Sequence, residues 1–230
     1  MRRNRPAGTG AAGGPLAAVL FDMDGTLLDS EPLWDAALRG LAAQLGGALS
    51  ETARLAMVGR NSRDSMAILY QDLGVAGRDH HADNSWVIDR MTELFATELA
   101  WQPGAAELVT EVRAAGLPTA LVTSTTRRLV EVALTSTLGP NTFDVVICGN
   151  EVAAPKPDPE CYLTAAARLG VPVSRCVAIE DSPAGMASAR AAGATVVGVR
   201  GEVVLTSTDG AVVVESLAEL SLDRLVRLLS

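Results

Sequence analysis

The sequence predicts an α/β fold, a doubly wound and mostly parallel sheet with an inserted helical cap domain. Three observations predict it. From Pro103 onward, short apolar runs alternate with helical stretches, the pattern of βαβ units, which places strands in parallel and helices on both faces. An earlier apolar run, Leu16 to Phe21, stands apart from that alternation and is followed at once by Asp22-Met23-Asp24-Gly25. Between the two, residues 32–99 carry helical periodicity without a strand pattern, so they read as an insertion.

Each element follows from local chemistry. LAAVLF at 16–21 is short, apolar and bounded by Gly/Pro upstream, so its length decides for a buried strand. Helices are predicted near 32–45, 51–57, 62–73 and 83–99, with turns at Gly46-Gly47, Gly59 and Gly74 to Gly77. A helix near 104–115 ends at Gly116, and a strand follows at Thr119 to Val122. A helix near 126–138 leads to a strand at Val145 to Cys148, and another helix starts after Pro159. Strands at Cys176 to Ile179 and Thr195 to Val199 flank a helix near 184–192 that stops at Gly193. A last strand at Ala211 to Val214 precedes a C-terminal helix. The chain thus divides into a tail at 1–14, a core at 15–30 and 100–230, and a cap at 31–99.

Composition narrows the function classes. The chain has 230 residues, enough for one large domain or one with a small insert. It is 48% hydrophobic and 20% charged, which supports a packed core, while aromatics at 3% leave the packing to aliphatic side chains. A net charge of -8 argues against a general nucleic-acid binder. No apolar run is long enough for a transmembrane helix, and the basic N-terminus lacks a signal core, reading as a mobile tail. Cys148, Cys161 and Cys176 form no CxxC pair, which points to a reducing cytoplasm. His80 and His81, the only histidines, read as exposed surface; Trp34, Trp86 and Trp101 read as packing. Of 19 basic residues one is lysine, Lys156, held between Pro155 and Pro157. In an arginine-rich chain, a lone lysine suggests a place where a compact ammonium is required.

Ligands of such sheets bind beyond the carboxyl ends of the strands. The loops there carry Asp22 and Asp24, then Thr123-Ser124-Thr125, then Lys156, then Glu180-Asp181-Ser182-Pro183. The strand period of two puts Asp22 and Asp24 on one side. Four acids at one mouth repel unless a cation intervenes, and oxygen donors without placed His or Cys favour Mg²⁺ over zinc. Ser182-Pro183 and Asp158-Pro159 are helix-start signals, and Thr123 to Thr125 precedes another helix. Helix N-termini attract phosphate. Metal, phosphate cradle and one lysine together describe a phosphoryl-transfer site, with an aspartate available as nucleophile and a second as acid/base.

Phe21-Asp22-Met23-Asp24-Gly25-Thr26-Leu27, Leu121-Val122-Thr123-Ser124, Lys156-Pro157 and Ile179-Glu180-Asp181-Ser182 resemble, in order, the four motifs of the haloacid dehalogenase-like hydrolases. Asp29-Ser30-Glu31-Pro32 and Glu180 to Gly185 extend the resemblance to the subgroup of β-phosphoglucomutases and sugar-phosphate phosphatases, which has a small helical cap. The resemblance implies that Asp22 is the nucleophile and Asp24 the acid/base, the latter also lending Mg²⁺ its backbone carbonyl. It implies Asp22, Asp24 and Asp181 as metal ligands, with Glu180 supporting, and Thr123, Ser124 and Lys156 as holders of the phosphoryl group. Asp24 argues against true dehalogenation.

Substrate choice is expected from the cap. The loop Val58 to Asp64 contains Gly59, Arg60 and Arg63, and Asn61 fits an N-cap. In the resembling subgroup this loop faces the site, so Arg60 or Arg63 is placed to bind a second phosphate or a sugar hydroxyl. Segments Leu28 to Glu31 and Leu99 to Pro103 read as hinges. The expected function is a Mg²⁺-dependent phosphatase for a small phosphomonoester, acting as a monomer without nucleic acid or membrane. The alternative is a phosphomutase: Thr26 is the phosphatase-like residue, and Arg63 supports the mutase. A receiver-like phosphate-binding domain shares the residue types but not the DxDGT order or the insert.

Overall fold

The computed structural model describes residues 14–201, 205 and 211–229. The predicted tail falls outside these residues except for Gly14. The described residues form one parallel sheet of six strands, β1 (Ala18–Phe21), β2 (Thr119–Val122), β3 (Val145–Ile147), β4 (Cys176–Glu180), β5 (Thr195–Val199) and β6 (Val212–Val214), in the order β3-β2-β1-β4-β5-β6. Crossovers run outward from β1 in both directions, so strand order reverses beside β1, where open α/β sheets bind ligands. The register pairs Phe21 with Ile179, which brings the residues after β1 and those ending β4 to one spot.

Both faces of the sheet are covered, as the continuous apolar strands require. Val19, Phe21, Leu121, Ile179 and Val197 face one side and join a core with helices α5 (Ala105–Ala114), α6 (Arg127–Ala133) and α9 (Leu222–Arg227). Ala18, Leu20, Ala120, Val122 and Ala178 face the other and pack on α7 (Glu160–Leu169) and α8 (Pro183–Ala192). The alternation along each strand is the period of two expressed as two separate cores.

Four helices lie between β1 and α5: α1 (Glu31–Gln44), α2 (Glu51–Met57), α3 (Ser62–Leu73) and α4 (His80–Thr97). Their buried residues, among them Leu41, Leu69, Met91 and Phe95, belong to the same core cluster as Phe21 and Val19. The two passages joining this insert to the sheet pair with each other. Leu28 bridges Trp101 antiparallel, Asp29 N–H donates to Ala100 O at 2.9 Å, and Gln102 N–H to Leu27 O at 2.8 Å.

Two elements differ from the sequence expectation. α4 begins at His80 because the Asp79 carboxylate accepts from His81 N–H and Ala82 N–H; His80 itself is half-buried, while His81 is exposed. The helix expected over 126–138 becomes α6 followed by a π-helical turn, Leu134–Leu138. There Ser136 and Thr137 hydroxyls donate to the carbonyls of Phe95 and Leu99, at 3.0 and 3.1 Å, so the wider turn ties the core to the end of α4. The C-terminal helix is short, with a 3₁₀ turn at Leu217–Glu219 before it. No helix among the described residues is long and apolar enough to cross a membrane.

Candidate active site

β1 delivers Asp22 directly over the end of β4, and its backbone N–H donates to Ile179 O at 3.0 Å. The side chains of Asp22, Glu180 and Asp181 converge, all buried, with a carboxylate oxygen of each within 4.8 Å of the others. Gly25 makes this approach feasible. It adopts φ +75°, and a Cβ there would lie 2.1 Å from Asp181 Oδ2, so only glycine fits both the turn and the neighbour. Thr26 then donates its hydroxyl to Asp181 Oδ1 at 3.2 Å. Burial first, then the neighbouring carboxylates, pushes the Asp22 and Asp181 carboxyls well above the ordinary range; Lys156 counteracts this only in part.

Lys156 is the internal counter-charge. Its Nζ donates to Asp22 Oδ1 at 2.6 Å, Glu180 Oε1 at 2.6 Å and Val122 O at 2.9 Å. Burial disfavours the ammonium, but the Asp22 and Glu180 carboxylates outweigh that and raise it above the usual lysine value. Its peptide bond to Pro157 is cis. Glu180 is fully enclosed: Tyr162 donates its hydroxyl to Oε1 at 2.5 Å and Ser182 to Oε2 at 3.2 Å. The Tyr162 ring also lies under the ammonium, 5.2 Å from Nζ to its centroid. Ser182 further caps α8, accepting from Gly185 N–H at 3.1 Å. A Cβ on Gly185 would fall 2.0 Å from the Glu180 carboxylate.

Asp24 occupies a different environment two residues on. Its Oδ1 accepts from Ser30 Oγ at 2.8 Å and Trp34 Nε1 at 3.0 Å, and its Oδ2 from Thr125 Oγ1 at 2.8 Å and Thr123 Oγ1 at 3.2 Å. The Thr123 and Thr125 hydroxyls therefore serve Asp24, and α6 starts from Thr126 without a side-chain cap. At α7, the Asp158 carboxylate accepts from Glu160 N–H while Pro159 occupies the N-cap position.

These residues line a cleft between the sheet and the insert, a concave setting of the kind small-molecule sites use. Asp22, Asp24, Thr123, Ser124, Thr125, Lys156, Asp181 and Ser182 form its floor; Glu31, Trp34, Arg54, Gly59 and Arg60 belong to its roof and rim. Gly59 approaches Ser182 so closely that a Cβ would sit 2.5 Å from it. Arg60 is exposed, with Nε donating to Ala56 O at 2.7 Å. Arg63 is exposed and is not among the residues lining this cleft, whereas Arg60 is. Arg63 sits on the first turn of α3, whose inward positions are Met66 and Leu69. Trp34 packs against the core as expected, and its indole N–H in addition holds Asp24.

Residues 16–193 match the haloacid dehalogenase-like hydrolase family. The chain belongs to that family. It is 36% identical over 195 residues to the protein CbbY of Rhodobacter capsulatus, covering 79% of this chain and 84% of that protein. It is 33% identical over 178 residues to a phosphorylated carbohydrates phosphatase of Thermotoga maritima, covering 77% and 82%. The crystal structure of CbbY from Rhodobacter sphaeroides in complex with phosphate superposes with a TM-score of 0.80 at 30% identity, covering 91% of this chain and 99% of that one.

In this haloacid dehalogenase-like hydrolase, the donor set fits a hard divalent cation. Three buried carboxylates face one ammonium, and their mutual repulsion is the charge imbalance that such an ion relieves. The sequence reading missed Tyr162 and Arg54, and it gave Ser30 and Thr125 no contact with Asp24. Tyr162 and Arg54 sit inside helices, where a polar residue on an inward face carries no local mark. Ser30 and Thr125 lie beside recognised motifs, and their hydroxyls were the available signal.

Proposed function

We propose that this enzyme is a Mg²⁺-dependent phosphatase of small phosphomonoesters, sugar or polyol phosphates, working through an aspartyl phosphate on Asp22. The observation that carries it is the contrast between the two aspartates: Asp22 among the acids and against Lys156, Asp24 in a cage of hydroxyls and one indole. A nucleophile and an acid/base need such separate surroundings. The named carbohydrate phosphatase relative supports the substrate class.

In this reading an Asp22 carboxylate oxygen attacks phosphorus and the ester P–O bond breaks, while Asp24 gives its proton to the departing alkoxide. Asp24 then takes a proton from water, whose oxygen attacks the same phosphorus and frees Asp22 and inorganic phosphate. Lys156 draws the nucleophile and the phosphoryl oxygens together, and Thr123 and Ser124 border the phosphoryl position. Asp22, Asp181 and the Asp24 carbonyl would hold Mg²⁺, which supplies charge neutralisation for a dianion approaching a carboxylate. Glu180 supports from behind, by orienting Lys156. Residues 31–99 act as the cap over a core of 15–30 and 100–230, and Gly59 and Arg60 border the leaving group. A monomer in the cytoplasm, with its cysteines reduced, completes the proposal. A phosphomutase would share Asp22, but Arg63, its offered second-phosphate ligand, lies outside the cleft.

Phosphate release from a panel of sugar, polyol, nucleotide and amino-acid phosphates tests this, with Mg²⁺ or EDTA and an Asp22→Asn control. The expected result is Mg²⁺-dependent release that falls by about a thousandfold or more in the variant. No release, or release indifferent to Asp22, overturns it.

A further inference from the structure

The insert places a charged pair inside the cleft. Arg54, on α2, is 3% exposed, and its Nη2 donates to Glu31 Oε2 at 2.6 Å and to Glu31 O at 3.0 Å. Its Nε lies 3.3 Å from Asp35 Oδ1. Glu31 opens α1 and lines the same cleft. It is near enough to the acid cluster to contribute, after burial, Asp22 and Glu180, to the raised Asp181 carboxyl. The surrounding wall is apolar, formed by Trp34, Leu38, Met57, Val87 and Ile88. An ion pair buried in such a wall is commonly replaced by apolar residues without loss of stability, so stability does not account for it.

We propose that Glu31 and Arg54 read hydroxyls of the leaving alcohol, and that the substrate is the monophosphate of a neutral cyclic polyol rather than a bisphosphate. This rests on the phosphatase reading above. A carboxylate accepts an O–H and a guanidinium donates to its oxygen, so the pair matches the two halves of a vicinal diol. The apolar wall matches the C–H face of a sugar or cyclitol ring, with Trp34 as its aromatic member. Ser62 and Asn84, hydrogen-bonded to each other, add a neutral polar edge. Charge decides against a second phosphate. Arg54 is paired with Glu31 and shares Asp35 with Arg39, so the described charges around it balance and offer a further anion no surplus cation. Arg60 stands only at the exposed rim.

The test compares hexose, hexitol and inositol monophosphates with their bisphosphates and with p-nitrophenyl phosphate, which has no hydroxyls. Wild-type kcat/KM is expected to favour the best monophosphate over its bisphosphate by about tenfold or more. In Arg54→Met, the ratio of kcat/KM for that monophosphate to p-nitrophenyl phosphate is expected to fall about tenfold, mainly through KM. Glu31→Gln/Arg54→Met, which strands no buried charge, is the second variant should Arg54→Met not fold. If neither folds, the wild-type monophosphate to bisphosphate ratio decides alone. Preference for a bisphosphate, or equal loss on both substrates in a folded variant, overturns this inference and leaves the phosphatase standing. No release from any compound overturns both.

Discussion

The Glu180 carboxylate accepts from Lys156, Tyr162 and Ser182, and Tyr162 is the member whose removal changes least else. Tyr162→Phe keeps the ring beneath the Lys156 ammonium and deletes one hydrogen bond to a charged, buried acceptor. The expected loss is about 1.5–3 kcal/mol of stability, seen as a Tm lower by several degrees, with kcat reduced and KM little changed because the displaced partners border the nucleophile. A variant with full kcat would deny Tyr162 any part in holding Lys156. Residues of this kind show how far the sequence was legible. Asp22, Asp24, Lys156 and Asp181 stood out because each follows a strand or a paired proline, where chain position alone implies the mouth of the sheet. Tyr162 meets Glu180 from inside α7, 18 residues away in sequence, and apolar periodicity hides a hydroxyl on an inward face. Trp34 was readable as buried, but which atom its indole N–H reaches depends on how α1 leaves the Leu28–Trp101 bridge.

At the scale of the element, α8 inverts an ordinary rule. Gly→Ala inside a helix normally stabilises by about 1 kcal/mol. Gly185→Ala instead drives a methyl against the Glu180 carboxylate, and overpacking of this kind costs about 1–3 kcal/mol. Chemical denaturation is expected to show a net loss of stability together with reduced turnover; a stabilised variant would mean the helix start shifts freely. The second element-scale expectation concerns α4. Phe95 is fully buried in the shared core and meets Trp34 edge-on, with ring centroids 6.2 Å apart for Phe21–Phe143 and 6.4 Å for Trp34–Phe95. Phe95→Ala is expected to cost about 3–5 kcal/mol and, by loosening Trp34, to lower kcat as well. Unfolding with two separated transitions would show instead that the insert melts by itself. Strand and helix order was plain from the alternation of apolar runs. The π turn was not, because Ser136 and Thr137 gain their partners, the carbonyls of Phe95 and Leu99, only when the end of α4 lies alongside.

For the whole molecule, the acid cluster sets a pH dependence of known sign. Asp22 and Asp181 have carboxyls raised above their ordinary value of 3.8, so the folded state keeps protons that the unfolded chain releases. Stability then falls as pH rises from about 4 toward the raised values. Acids held low, such as Asp83 under Arg78 and Glu151 under Arg127, act oppositely, but their contribution is complete by about pH 5. In EDTA, Tm is expected to decline as pH rises above about 5, and Mg²⁺ is expected to flatten the decline by binding the ionised cluster. A Tm that climbs with pH in EDTA would contradict the clustering of the three carboxylates.

Lys156 gives the chain its single side-chain amine, and that amine is enclosed by Asp22, Glu180 and the Val122 carbonyl. Acylating reagents that decorate most proteins at many lysines therefore have one lysine side chain to find here, at the floor of the cleft. Its modification rate reports how often reagent reaches the floor of the cleft and the ammonium sheds a proton. Ligands that occupy the cleft would slow that rate without any assay of turnover.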